Sequence, residues 1–170
     1  ALTATLAITP GFSVDPINLP KLAIISLGGF ISFAIAATHL KVIFTPKFRL
    51  PILVVLTFIL DLVLVLVFAG NNFNQEFYGT FGRATGFVAY VSLAGLLIAG
   101  IISGSSHSLK RFSWFLITTG AFSMAYGLIQ ALGADPVNWA KGLNPVIGFV
   151  GNPNFQSSFV AFSAIAAFAI

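Results

Sequence analysis

"PILVVLTFILDLVLVLVFAG", residues 51–70, is an apolar run interrupted by one carboxylate, Asp61. A helix needs about 20 apolar residues to cross a hydrocarbon core about 30 Å thick, and residues 51–69 meet that length. A surface helix of a soluble protein keeps a polar face, and this stretch has none. It therefore predicts a membrane span. Working outward, residues 22–40, 86–103 and 112–132 read the same way, and shorter apolar pieces lie at 1–9 and 155–170. The expected fold is all-α: a polytopic membrane helical bundle of about six transmembrane helices, the first and last truncated. Residues 1–170 read as a single transmembrane domain, expected to be the amino-terminal part of a longer polytopic protein.

Composition agrees with that reading. The chain is 58% hydrophobic and 7% charged, and it holds 19 phenylalanines. Soluble domains are about 25% charged. The mean hydropathy is +1.01. The net charge of +4 is spread over short loops rather than gathered on a face, which argues against a nucleic-acid partner. With no cysteine, the chain has no disulfide, thiolate metal site or cysteine nucleophile.

The loops between the spans alternate in character. "KVIFTPKFR" carries Lys41, Lys47 and Arg49, and "SGSSHSLKRF" carries Lys110 and Arg111, with no acid in either. The positive-inside rule puts these two loops on the cytoplasmic side. The other three pair one acid with one base: Asp15 with Lys21, Glu76 with Arg83, and Asp135 with Lys141. These are the expected outer loops. Proline, glycine and asparagine make them turns and extended segments, with a tryptophan, Trp139, at the expected headgroup level.

Several residues carry chemistry worth weighing against a bland alternative. Arg83, in "YGTFGRATGF", is expected at the start of the span 86–103, where a guanidinium can hold a phosphate beside a helix N-terminus. The bland alternative is an interfacial arginine reaching headgroups or pairing with Glu76. Asp61 is the one carboxylate expected inside the bilayer, where an acid marks an ion path or a functional site, or else is a hydrogen-bonded structural group. Depth matching nominates Ser123 and Tyr126 as its partners. His39 and His107 have no second ligand at metal spacing and read as interfacial. "GIISG", residues 100–104, has the small-xxx-small spacing of close helix contacts.

"NPVIGFVGNPNF" places Asn144-Pro145 and Asn152-Pro153 on either side of a short apolar piece. Pro153 suits the first turn of a helix with Asn152 as its N-cap, and Asn154 falls within that turn. The functional alternative is that the carboxamides of Asn152 and Asn154, with free amide protons, hold an anion or sugar hydroxyls.

"TPGFSVDPINLPKL", "FGRATGFVAYVSL" and "NPVIGFVGNPNFQSSF", in that order along the chain, resemble the amino-terminal half of the O-antigen ligase family. That family groups lipopolysaccharide O-antigen ligases, O-antigen polymerases and O-linked protein oligosaccharyltransferases, and the resemblance covers nearly all of the chain. It implies a GT-C-like enzyme in the bacterial inner membrane. The implied reaction moves a glycan from an undecaprenyl-diphosphate carrier to a lipid A-core, glycan or protein acceptor on the extracytoplasmic face, with no metal or other cofactor. Such chemistry needs a base for the acceptor and cations for the departing diphosphate. Arg83 matches an arginine of the family's motif, and Lys21 and Lys141 are further candidates for the donor diphosphate. The family's catalytic histidine lies in a large outer loop further along, and no residue here matches it. His39 and His107 are expected on the other side. These residues are thus expected to supply scaffold and part of a donor site. Readings of another class stay open: a non-catalytic membrane subunit packed against neighbours in a complex, or a solute transporter with Asp61 in its path.

Overall fold

The computed structural model describes residues 2–11, 15–137, 139 and 146–170. Among these residues the regular elements are all helical: a 3-10 turn, Leu2–Leu6, then α1 (Asn18–Thr38), α2 (Leu40–Ile43), α3 (Pro46–Phe68), α4 (Phe73–Tyr78), α5 (Phe87–Ser103), α6 (Ser106–Ala131) and α7 (Pro153–Phe168). Helices α1, α3 and α6 are long and apolar enough to cross a membrane, and α5 is a shorter apolar helix.

Several helices begin earlier than the apolar runs suggest. Helix α3 starts at Pro46, with Thr45 in extended backbone ahead of it, so Lys47 and Arg49 lie in the helix rather than in a loop. Proline fits a first helical turn because its missing N–H has no partner there. Pro51, taken as the start of the run, is inside the helix. Helix α6 starts at Ser106, where the Ser105 hydroxyl accepts from the Ser108 N–H at 3.1 Å. The cap draws His107, Lys110 and Arg111 into the helix. Helix α1 starts at Asn18, because the Asp15 carboxylate accepts from the Asn18 and Ile17 N–H groups at 2.8 and 3.2 Å. The apolar piece at the start of the chain is the 3-10 turn, the tighter geometry that proteins use in short pieces.

The chain forms two compact units. In the first, residues 22–104, the core joins Ala36 of α1, Ile43 of α2, Ile52 and Val55 of α3, and Ala94 and Ile98 of α5. Phe33, Phe48 and Ile59 pack against that cluster. Helices α1 and α5 meet through small residues: a Cβ added to Gly95 would lie 2.6 Å from the Gly29 carbonyl oxygen. Small residues allow this close approach of backbones in a membrane bundle. Among the described residues the spacing in "GIISG" brings no neighbour against Gly100, where a Cβ would meet nothing within 4 Å.

The second unit joins residues 2–21 with 105–170, and α6 packs along α7 within it. The contact has almost no room at Gly120, where an added Cβ would collide with Ser163. Further along, the Ser123 hydroxyl donates to Gln156 Oε1 at 2.8 Å, and Gln156 Nε2 donates to the Ser123 carbonyl at 2.7 Å. This reciprocal pair satisfies two buried polar side chains at once.

Candidate functional site

The first unit offers a polar corner between α4 and α5. Helix α4 is opened by Asn72, whose side chain accepts from the Asn74 N–H at 3.0 Å. Glu76 in its first turn accepts from the Asn71 amide at 2.8 Å. One face of α4 is aromatic: Phe77 stacks on Phe73 with centroids 5.3 Å apart and on Phe87 of α5 at 5.8 Å. These rings anchor both ends of the intervening loop. Gly79 and Gly86 draw those ends together, since a Cβ on Gly79 would lie 2.7 Å from the Gly86 nitrogen.

Arg83 lies in this loop, and Gly86 is the N-cap of α5, so the arginine precedes the helix rather than starting it. Its N–H and that of Ala84 both turn back to the Thr80 carbonyl, at 3.0 and 3.2 Å. Ala84 adopts a φ of 51°, the one left-handed non-glycine residue among those described. That conformation costs an L-residue about 1–2 kcal/mol, and such departures collect where a backbone is held for a purpose. The Arg83 side chain is exposed, and among the described residues no ion pair joins it to Glu76. Beside it Phe81 is 78% exposed. The corner thus presents an apolar ring and an exposed guanidinium from one turn.

The other site candidates occupy the second unit. Asn152 is the N-cap of α7 with Pro153 in the first turn, and its Oδ1 accepts from the Asn154 N–H at 2.9 Å. The Asn154 carbonyl accepts from the hydroxyls of Ser157 and Ser158 at 3.0 and 2.8 Å. Both asparagine side chains are exposed. Lys21, on the first turns of α1, donates to the carbonyls of Ala7, Ile17 and Phe149 at 3.1, 3.2 and 2.5 Å. An ammonium has three N–H groups, and all three are engaged. Lys21 therefore fastens the turn that leads to Asn152, leaving no N–H for a ligand. Lys141, like Asn144 and Pro145, lies outside the described residues.

A network that the sequence does not announce surrounds that turn. Gln130, 1% exposed at the end of α6, accepts on Oε1 from the Ile147 and Gly148 N–H groups at 3.1 and 2.7 Å. Its Nε2 donates to Asp135 Oδ2 at 2.9 Å. Tyr126 donates to Asp135 Oδ1 at 3.0 Å and accepts from the Trp139 ring N–H at 2.8 Å. Trp139, expected at headgroup level, is buried in this network. The Phe149 ring stacks on Tyr126 with centroids 4.4 Å apart. Gly148 and Gly151 take φ values of 59° and 76°, which bend the backbone between these contacts.

Asp61 is exposed on α3 in the first unit. Ser123 and Tyr126, nominated by depth as its partners, belong to the second unit, where they bond to Gln156 and to Asp135. The His39 ring nitrogen Nδ1 lies 2.8 Å from the Thr38 hydroxyl and 3.0 Å from the Ile35 carbonyl. Among the described residues no group of three histidine or acidic side chains could hold a metal.

Three span-length apolar helices, with a core of aliphatic and small residues, define a helical membrane protein. Compared with protein-family models, curated proteins and solved structures, the chain matches none.

Proposed function

We propose that the chain is the amino-terminal part of a bacterial inner-membrane glycan transferase of the O-antigen ligase type, a six-span, GT-C-like bundle. In this reading it takes a glycan from an undecaprenyl-diphosphate carrier and passes it to a lipid, glycan or protein acceptor on the extracytoplasmic face. Arg83 receives the donor diphosphate, Asn152 and Asn154 meet glycan hydroxyls, and the catalytic base comes from elsewhere in the full-length protein.

One observation carries the reading: Arg83 and Phe81 stand exposed together on the turn between α4 and α5, with no ion pair to the guanidinium among the described residues. A lipid-linked diphosphate has an anionic head and an apolar tail, the two chemistries this turn offers side by side. A guanidinium fork binds phosphate oxygens in pairs and stabilises charge that grows on the leaving group. The resemblance of "FGRATGFVAYVSL" and "NPVIGFVGNPNFQSSF" to the family supports the same assignment.

The test is Arg83→Ala in the full-length protein, followed by glycan transfer and by the level of lipid-linked donor. Transfer should fall by about 100-fold or more and donor should accumulate, because a preorganised charge on the leaving group is removed. Arg83→Lys should recover only part, since a lysine lacks the planar fork. Unchanged transfer in Arg83→Ala would take the arginine out of the site.

A further inference from the structure

Helices α3 and α5 run antiparallel, and one ring pair sets their register. Phe58 of α3 meets Tyr90 of α5 edge to face, with centroids 6.3 Å apart. Ile52 and Val55, before Phe58, share a core with Ala94 and Ile98, after Tyr90. Counted from the ring pair, Ser103 at the end of α5 falls level with the start of α3, whereas Phe87 at its beginning falls level with Asp61. Helix α3 continues past Asp61 to Phe68, roughly 10 Å at 1.5 Å per residue. Helix α5 has 17 residues, so it is roughly 25 Å long and stops short of a hydrocarbon core about 30 Å thick. Its shortfall lies at the α4 end.

Helix α4 and the turn after it occupy that depth. Residues 69–72 join α3 to α4, which packs against both α3 and α5. Phe77 stacks on Phe87, and a Cβ on Gly86 would lie 2.6 Å from the Phe77 carbonyl oxygen. The end of α4 is therefore level with the beginning of α5, beside the last turns of α3 rather than beyond them. Phe73, Tyr78 and Phe81 are exposed here, as are Leu64, Val67 and Phe68 of α3. Interfacial helices bury their apolar side about 5–10 Å into the boundary between headgroups and acyl chains, which matches this depth. Arg83, exposed two residues after Phe81, complements the phosphate charge at that boundary.

We propose that α4 and the turn through Arg83 form an interfacial anchor whose partner is the phospholipid of the leaflet holding the Phe68 end of α3. Phe73 and Phe81 enter the boundary between headgroups and acyl chains. Gln75, roughly 200° around α4 from Phe73, stays in water. The anchor is independent of the diphosphate reading: it stands whether or not Arg83 also binds a lipid-linked donor.

The chain has no cysteine of its own, so single spin labels enter through Phe73→Cys, Gln75→Cys and Phe81→Cys, with Val67→Cys as a reference on α3. The full chain is reconstituted into phosphatidylcholine vesicles. Power-saturation EPR then compares collisions with oxygen, which concentrates in the bilayer, and with a water-soluble nickel chelate. Labels at 73 and 81 should meet oxygen several-fold more than nickel, at a depth of about 5–10 Å, and the label at 75 should show the reverse. Replacing Phe73 gives up its stack on Phe77, so the Phe81 label decides where the two differ. Labels that favour nickel would overturn the proposal by placing the segment in water. Labels shielded from both reagents would overturn it by placing the rings beneath protein.

Discussion

The turn at residues 148–151 and the turn at residues 79–86 are both rich in glycine and both lead into a helix, yet they treat their polar groups in opposite ways. In the first, Lys21, Gln130, Tyr126, Asp135 and Trp139 are joined through direct hydrogen bonds. In the second, backbone and aromatic packing hold the loop, while Arg83 remains exposed. Satisfied polar groups specify a structure. A charge left exposed is available for a ligand. The contrast sets the scaffold apart from the proposed site, and it moves Lys21 to the scaffold.

The contrast is broken most severely at Gln130. Its side chain serves the Ile147 and Gly148 N–H groups and the Asp135 carboxylate, and it is buried. Gln130→Leu removes all three bonds and leaves their partners inside. A buried group left without its partner costs about 1–3 kcal/mol, so the loss of stability should reach about 3 kcal/mol. Unfolding by steric trapping in bicelles would measure it, and a change below about 1 kcal/mol would mean that water replaces the amide.

Lys21→Met comes next. The variant keeps an apolar stem over the turn and removes the ammonium from the carbonyls of Ala7, Ile17 and Phe149. Lys21 is only partly buried, so water can reach part of this cluster, and about 2 kcal/mol is expected. Hydrogen exchange should quicken at Gly151 and Asn152 in particular. If Lys21 instead held a diphosphate, the same variant would lose donor binding while stability and exchange stayed unchanged.

These two regions are not equally legible in the sequence. The long apolar runs announce α1, α3 and α6 because continuous hydrophobicity over a membrane's width has no other common use. Asn152-Pro153 announces the start of α7, because the cap and the first-turn proline are local chemistry. The network around Gln130 is not legible. Asp135 reads as the acid of a loop that also holds Lys141, whereas its described partners include Tyr126 and Gln130, farther back along the chain in α6. Those bonds depend on how the chain folds back after α6, and no short-range pattern encodes that path. Helix starts shift for a related reason: Ser105 and Pro46 extend α6 and α3 into segments that hydropathy assigns to loops. Arg83 is visible as a residue, but the left-handed Ala84 beside it is not.

Ala84 gives the smallest effect and the sharpest separation. A left-handed alanine costs about 1–2 kcal/mol in the folded state. Glycine removes that cost but gives the unfolded chain more freedom, worth about 0.4–1 kcal/mol in the other direction. Ala84→Gly should therefore stabilise the protein by about 0.5 kcal/mol, within reach of replicate steric-trapping measurements. If the turn merely connects α4 to α5, glycan transfer in the full-length protein should follow stability and not fall. If it holds Arg83 in place for a diphosphate, added backbone freedom must be removed again whenever donor binds. The donor's KM should then rise several-fold while stability increases, and Arg83→Ala should erase the difference between Ala84 and glycine. Stability and transfer moving in opposite directions at a residue that touches no ligand is the signature of a preorganised turn. A parallel change in the two would return the turn to the scaffold.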